Sequence, residues 1–313
     1  MKKIFLTGGT GFIGSILLER LIERNHEVYI LCRNVTDRNL NFRKEINVIL
    51  GDLTDPHHLR KSIKQINPDV VIHLAAQSSV AYSHEHPQEN AEVTYIGTIN
   101  LQKACEGLSN LEKFVYAGSS EEYGNQIKFP IKEDAPLLPN QPYAIAKVAA
   151  DNYLNYCKES IGFPSVILRP FNTLGRTKNF TFVTEKIIYN MLVNQSETLT
   201  LGNPDAIRDL LYVDDHVNGY VKAVETPFDS LENVRAINLC TGIGTSIKSL
   251  AEQIKSLTDF EGEIRWNVSV RPTEIHRLIG DYVQAVHFLG WKPQYPLREG
   301  LKLAIENIKK VLG

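Results

Sequence analysis

Three side chains spaced across the middle of the chain have the types needed to move a hydride and a proton together: Ser119, Tyr143 and Lys147. Tyr143 and Lys147 form a Tyr-x-x-x-Lys pair one helical turn apart, and Ser119 lies twenty-four residues before the tyrosine. A phenol with an ordinary pKa near ~10 is a poor base at neutral pH, and an ammonium at i+4 lowers that value electrostatically. Ser119 would hydrogen-bond the substrate oxygen that Tyr143 protonates or deprotonates, fixing the adjacent carbon for transfer to or from a nicotinamide. Lys147 can also bind the nicotinamide ribose. Glu121, two residues beyond Ser119, adds an acid–base group that either abstracts a proton from a carbon next to a carbonyl or orients a substrate hydroxyl. Glu122, alternating with it, is expected to be solvated.

The hydride carrier has its own signature at the N-terminus. Gly9, Gly11 and Gly14 meet a G-x-G-x-x-G pattern, and Gly8, Gly11 and Gly14 a G-x-x-G-x-x-G pattern, between an apolar strand and an amphipathic helix. In either register the missing Cβ atoms let the start of that helix, at Phe12 and Ile13, approach a pyrophosphate. After the second strand, Arg33 can pair with a 2′-phosphate and stack on adenine, which favours NADP(H); Asp37, close by, keeps NAD(H) possible. Asp52 and Leu53 follow the third strand, where a carboxylate can accept from the adenine amino group. Helix capping is the competing role there, although Asp55-Pro56 already starts the next helix. Leu74, Ala75 and Ala76 follow the fourth strand, with small residues suited either to a backbone passing beside the nicotinamide ribose or to helix packing.

A parallel sheet is what would bring these positions together. Strand-like and helix-like segments alternate: strand 3–7, helix 12–24, strand 27–32, strand 46–50, helix 56–65, strand 69–74, helix 88–107, strand 112–118, helix 142–160 and strand 164–169. The strands are short, β-branched and almost wholly apolar, which suits burial on both faces under crossover helices. Beyond about residue 170 the order becomes helix 180–193, short strands near 198–201 and 209–213, helix 214–226, strand 236–240, helix 246–257 and a helical C-terminus from 296. The fold class is therefore α/β, a Rossmann-type doubly wound parallel sheet with a smaller, interleaved C-terminal α/β domain. Residues 1–170 are expected to bind NAD(P), with the strand near 236–240 returning to them, and 171–313 to bind substrate.

A formal charge of −2, from 34 Lys+Arg against 36 Asp+Glu, offers no basic field for a polyanion, so nucleic acid is excluded as a partner. Cys32, Cys105, Cys157 and Cys240 are widely spaced, which indicates neither a zinc site nor a disulfide framework and points to a reduced, cytoplasmic location. No metal is expected. The apolar run after Met1-Lys2-Lys3 is broken by Thr7–Thr10 and followed by Glu19, Arg20, Glu23 and Arg24, unlike a signal peptide, and no segment is long enough to span a bilayer.

The whole chain resembles an extended short-chain dehydrogenase/reductase acting on nucleotide sugars, in particular the branch with GDP-mannose 4,6-dehydratase and GDP-4-keto-6-deoxymannose reductase. The resemblance rests on Thr7-Gly-Gly-Thr-Gly-Phe-Ile-Gly14, His73-Leu-Ala-Ala-Gln77, Gly118-Ser-Ser-Glu-Glu-Tyr-Gly124, Pro142-Tyr-Ala-Ile-Ala-Lys147, Arg169-Pro-Phe-Asn172, Phe182-Val-Thr-Glu-Lys186, Gly202-Asn-Pro-Asp-Ala-Ile-Arg-Asp209, Arg271-Pro-Thr-Glu274 and Leu289-Gly-Trp-Lys-Pro293. It implies that Asn172, Lys186, Arg208, Arg271 and Glu274 bind the nucleoside diphosphate, with Gln77 and Ser120 also toward the substrate. Two arginines and a lysine are what a diphosphate needs. The chain departs from the family where Asn172 is followed by Thr-Leu-Gly-Arg-Thr rather than a His and a Gly-Pro, and where Thr94 replaces an Asn. The implied activity is hydride transfer between NADP(H) and carbon 4 of a GDP-linked sugar, in a reductase or a related 4-dehydrogenase. A 4,6-dehydratase stands second, on Glu121, and a 4-epimerase third. A non-catalytic dinucleotide-binding protein is the alternative of a different class. Helices 88–107 and 142–160 commonly pair with their copies in this family, which implies a homodimer or a dimer of dimers.

Overall fold

Short apolar runs that can satisfy their backbone only by pairing on both sides form the centre of the molecule. The computed structural model describes residues 1–34, 46–195, 198–266 and 273–313, so Asp37 and Arg271 lie outside the described residues. The first half contains β1 (Lys3–Thr7), α1 (Phe12–Glu23), β2 (Glu27–Cys32), β3 (Ile46–Leu50), α2 (Pro56–Ile66), β4 (Val70–His73), α3 (Val80–Glu85), α4 (Pro87–Ala91), α5 (Gly97–Cys105), β5 (Lys113–Ala117), α6 (Pro142–Ile161) and β6 (Ser165–Pro170). The second half contains β7 (Asn172–Leu174), α7 (Val183–Val193), β8 (Leu199–Leu201), β9 (Ile207–Tyr212), α8 (Val213–Glu225), β10 (Ile237–Leu239), β11 (Gly244–Ser246), α9 (Ile247–Thr258), β12 (Ile264–Trp266), β13 (Arg277–Leu278), α10 (Val283–Leu289) and α11 (Leu297–Leu312).

The main sheet has the order β10-β6-β5-β4-β1-β2-β3, parallel throughout. Ile4 and Leu6 face a core built with Leu17 and Leu21 of α1 and Val217 and Val221 of α8; Phe5, Val71 and Phe114 face the opposite core with Ile63 of α2, Leu101 of α5 and Leu154 of α6. This is the doubly wound Rossmann arrangement expected. Its direction reverses between β1 and β4, and the crevice beyond the strand C-termini there is where such sheets bind ligands. β10 comes from late in the chain and pairs with β6. Around β9 a second, smaller sheet forms with β7, β11 and β13, while β8 pairs with β12.

The single helix expected over 88–107 is a broken one. Pro87 cannot continue α3, so α4 restarts there; Glu92–Ile96 then take a wide π turn before α5. At the head of the sheet, the Thr7 hydroxyl meets His73 Nδ1 at 2.7 Å and accepts from the Ala75 N–H at 3.2 Å, while His73 Nε2 meets the Thr98 hydroxyl at 3.0 Å. Burial, helped by the Lys147 charge, pushes His73 down to about 3, so it stays neutral and serves as a strut between β1, β4 and α5.

Candidate functional site

The glycine turn is shaped by close backbone approach. Gly8 has φ +73, and a Cβ on it would meet Ala75 N at 2.8 Å; a Cβ on Gly14 would lie 2.0 Å from Gly8 O. Gly11 N–H donates to Gly8 O at 2.9 Å, and Gly11 caps α1 with no side chain, with no acidic residue in the first turn. The helix start at Phe12 and Ile13 is thus open to an anion, which fits a dinucleotide pyrophosphate. Leu74, Ala75 and Ala76 lie against this turn, Leu74 N–H bonding Thr7 O at 3.2 Å. Asp55 caps α2 through His57 and His58 N–H, so Asp52 is not the cap; its Oδ1 holds the Thr54 N–H and hydroxyl. Leu53 is buried against Gly97, and Arg33 is exposed at the end of β2.

Ser119, Glu121, Tyr143 and Lys147 are brought to one place beyond the ends of β4, β5 and β6. A 3₁₀ turn over Ser120–Tyr123, capped by Ser119, replaces the extended strand end on which the reading of Glu122 rested. In that turn Glu122 points inward. Its Oε1 accepts from the Ser119 N–H at 2.7 Å, and its Oε2 lies 3.2 Å from Arg169 Nε. Arg169, itself buried, also pairs with Asp151 at 2.9 Å and donates to the Tyr123 hydroxyl at 3.0 Å. Glu122 is thus the buried carboxylate that fixes Ser119, not the solvated one, and burial, with Asp151 beside it, raises its pKa well above the usual range.

Glu121 lies in the cleft. Gln141 Nε2 donates to its Oε2 at 2.7 Å, and burial raises its pKa against the pull of Arg208 and Gln141. The Tyr143 phenol is buried too, and desolvation holds it well above its ordinary range; the Ser119 hydroxyl lowers it, Glu121 and Glu122 raise it, and Arg176 lowers it. Lys147 has partners of its own in this arrangement. Its Nζ donates to Ala117 O at 2.5 Å and sits 4.7 Å over the Tyr116 ring, drawn there by the carbonyl and the Glu122 and Asp151 charges. Arg176, a residue absent from the expected set, adds a small lowering pull on the phenol.

The expected substrate residues divide. Arg208, on β9, lies within electrostatic reach of Glu121 and Glu274, and Asn203 Nδ2 donates to Glu274 Oε2 at 3.3 Å. Ser120 is buried at the start of the 3₁₀ turn, and Gln77 Oε1 is taken by the Ser79 N–H at 3.2 Å. Asn172 Oδ1 is enclosed with no hydrogen-bond partner, as an acceptor awaiting a ligand would be. Lys186 is exposed on α7 and makes no side-chain hydrogen bond or ion pair among the described residues. Gln141, Arg169 and Arg176 were missed. Only Arg169 carried a signal, a charge inside an apolar strand, which demands a buried acid. No group of His, Cys, Asp or Glu that could hold a metal occurs among the described residues, and no helix there is long and apolar enough to cross a membrane.

The chain is similar to known proteins over almost its whole length. A family model described as GDP-mannose 4,6 dehydratase matches residues 5–304. The chain belongs to the extended short-chain dehydrogenase/reductase epimerase/dehydratase family. Within this family, a putative UDP-glucose 4-epimerase from Methanocaldococcus jannaschii is 31% identical over 310 residues, 98% of each chain. GDP-mannose 4,6-dehydratase from Yersinia enterocolitica is 31% identical over 340 residues, 96% of this chain and 91% of that one. The UDP-glucose 4-epimerase of Thermotoga maritima, solved with UDP-glucose, superimposes with a TM-score of 0.91 at 29% identity, covering 99% of this chain and 100% of that one. Other short-chain dehydrogenase/reductase structures of similar fold hold NAD or NADPH. As a member of this family the protein is an enzyme of nucleotide-sugar chemistry, which sets aside the non-catalytic alternative.

Proposed function

We propose that the protein is a 4,6-dehydratase of a GDP-linked hexose, working through a nicotinamide cofactor held by residues 1–170 and a sugar nucleotide held by residues 171–313. The observation that carries this reading is Glu121: a half-buried carboxylate two residues from Ser119, held by Gln141, whose pKa burial raises against the pull of Arg208. The cofactor supplies the acceptor, and then the donor, of one hydride. Tyr143 takes the proton of the 4-hydroxyl while Ser119 holds that oxygen. Once carbon 4 is a ketone the C5–H is acidic; Glu121 removes that proton and passes one to the departing 6-hydroxyl, which leaves as water, and the C5=C6 double bond so formed takes the hydride back at carbon 6 and a solvent proton at carbon 5. Asn172, Arg208 and Glu274 hold the nucleotide, with Arg271 added from the sequence pattern. Arg33 supports NADP(H) as the carrier.

Incubation with GDP-mannose in deuterated water tests this. A 4-keto-6-deoxy product with deuterium at carbon 5 and no net cofactor consumption is expected, and Glu121→Gln is expected to slow product formation by about 10²-fold while carbon-4 oxidation survives as a transient absorbance near 340 nm. The Gln141 hydrogen bond to Glu121 favours a second reading, in which the carboxylate only orients the sugar and the enzyme is the 4-ketosugar reductase. Stoichiometric NADPH loss with a 4-ketosugar, and no product from GDP-mannose, would establish that reading and refute the first.

Ile96, Ile145 and Tyr156 are 43%, 54% and 60% exposed on the helical stretch from α4 to α6. These apolar positions support a homodimer, or a dimer of dimers, through α5 and α6. Light scattering at micromolar concentration is expected to return at least twice the chain mass; a monomer mass would refute it.

A further inference from the structure

We propose that Arg176 is a cofactor-binding residue, a guanidinium held between two aromatic rings to grip a phosphate oxygen of the nicotinamide dinucleotide where it crosses the start of α1. This rests on the dinucleotide reading of the glycine turn.

Arg176 follows β7 through Gly175, whose φ of +116 and closeness to Val213, 2.9 Å from where a Cβ would stand, leave room only for glycine. Glu185 fixes the turn, its Oε1 accepting from the N–H groups of Gly175 and Arg176 at 2.8 and 3.1 Å. The side chain is thereby aimed between Phe182, 3.8 Å from ring centroid to guanidinium, and Phe12, at 4.5 Å. Phe12 is the first residue of α1, directly after Gly11. The cation therefore stands beside the helix start whose open N–H groups fit a pyrophosphate.

This guanidinium is a charge without an acceptor. Nε is enclosed and unpartnered, and among the described residues the group makes no hydrogen bond and no ion pair within 4 Å. Glu185 lies near enough to act on it electrostatically; its Oε1 is spent on the backbone N–H groups, and its Oε2, enclosed and without a hydrogen-bond partner, makes no ion pair with the guanidinium within 4 Å. Two aromatic faces hold the plane of the fork and recover part of the lost hydration, yet leave the enclosed Nε–H without a partner. A half-buried cation whose Nε is shut away from both water and an acceptor is better satisfied once an anion arrives. A phosphate oxygen satisfies it, because the planar fork can donate two parallel bonds while the helix start donates from the other side. Arg208, the other cleft arginine on the described chain, faces Glu121 and Glu274 instead, so the two cations serve different parts of the ligands.

Calorimetric titration of the purified wild type, Arg176→Met and Arg176→Lys with NAD⁺, NADP⁺ and GDP tests this. Arg176→Met is expected to weaken NAD⁺ and NADP⁺ alike, by about 10- to 100-fold, with GDP affinity unchanged and Arg176→Lys intermediate. Equal weakening separates a pyrophosphate contact from a 2′-phosphate contact, which would touch NADP⁺ alone and overturn the assignment. Unchanged cofactor affinity in both variants, or weakening of GDP alone, would also overturn it. Should Arg176→Met unfold, Arg176→Lys, which keeps charge and stem but loses the fork, must still show the loss. Wild type that binds neither dinucleotide would refute the dinucleotide reading itself, a result distinct from variants that bind as wild type does.

Discussion

Tyr143→Phe lowers turnover by about 10²- to 10⁴-fold, the usual worth of a positioned acid–base group, while cofactor affinity and melting temperature stay near those of the wild type. The ring is buried at the first turn of α6, whose N-terminus is fixed by Pro142 and by the Tyr143 N–H donating to Ser83 Oγ at 3.2 Å. Phenylalanine keeps that packing and loses only the hydroxyl that faces Ser119. Burial raises the phenol above its ordinary range and the Ser119 hydroxyl lowers it, so the hydroxyl is placed to exchange a proton with a carbon-4 oxygen held by Ser119. Steady-state kinetics with calorimetry of cofactor binding checks the result, and near-normal turnover with intact binding would remove Tyr143 from the chemistry.

The second large effect is on stability. Arg169→Met is expected to cost about 3–5 kcal/mol, because it takes from the buried carboxylates of Glu122 and Asp151 the cation they pair with directly, leaving only the more distant Lys147 charge. The damage spreads through the Tyr123 hydroxyl, which Arg169 donates to and which in turn donates to Asn238 Oδ1 at 2.7 Å, joining the 3₁₀ turn to β10. Urea unfolding measures the loss. Adding Glu122→Gln and Asp151→Asn to Arg169→Met should recover part of it, since the penalty comes from uncompensated charge more than from lost attraction. A triple variant no more stable than the single one would show that packing around the guanidinium, not its charge, is what matters.

Much of the fold was legible because buried parallel strands are short and mostly apolar, often β-branched, as Glu27–Cys32 and Val70–His73 are beyond the first residue of β2. The glycine turn was legible for a similar reason, since the backbone contacts at Gly8 and Gly14 tolerate nothing larger. What escaped was set by local choices that spacing does not reveal. Alternation assigns neighbouring residues to opposite faces of a strand, so it sent Glu122 to solvent. The capping turn at Ser119 broke that alternation and brought Glu122 inside. The i+4 spacing placed Lys147 correctly on the helix but could not foresee that its ammonium would settle on the Ala117 carbonyl. Arg176 escaped because no pattern marks a cation whose neighbours, Phe12 and Phe182, come from distant segments. Strands of two or three residues, such as β7, β11 and β13, exist only through their pairing with β9.

The place beside β6 at the rim of the main sheet is filled by β10, a strand that leaves the ribosome only after α8 has been made. Until then β6 presents a bare row of N–H and C=O groups, the kind of edge that recruits strands from other chains. Synthesis thus passes through a vulnerable interval, and a fragment cut after Pro170 would be trapped in it. An engineer grafting a new sugar preference onto this scaffold would have to leave Ile237–Leu239 with the first half, because the two halves are spliced and not merely adjoined.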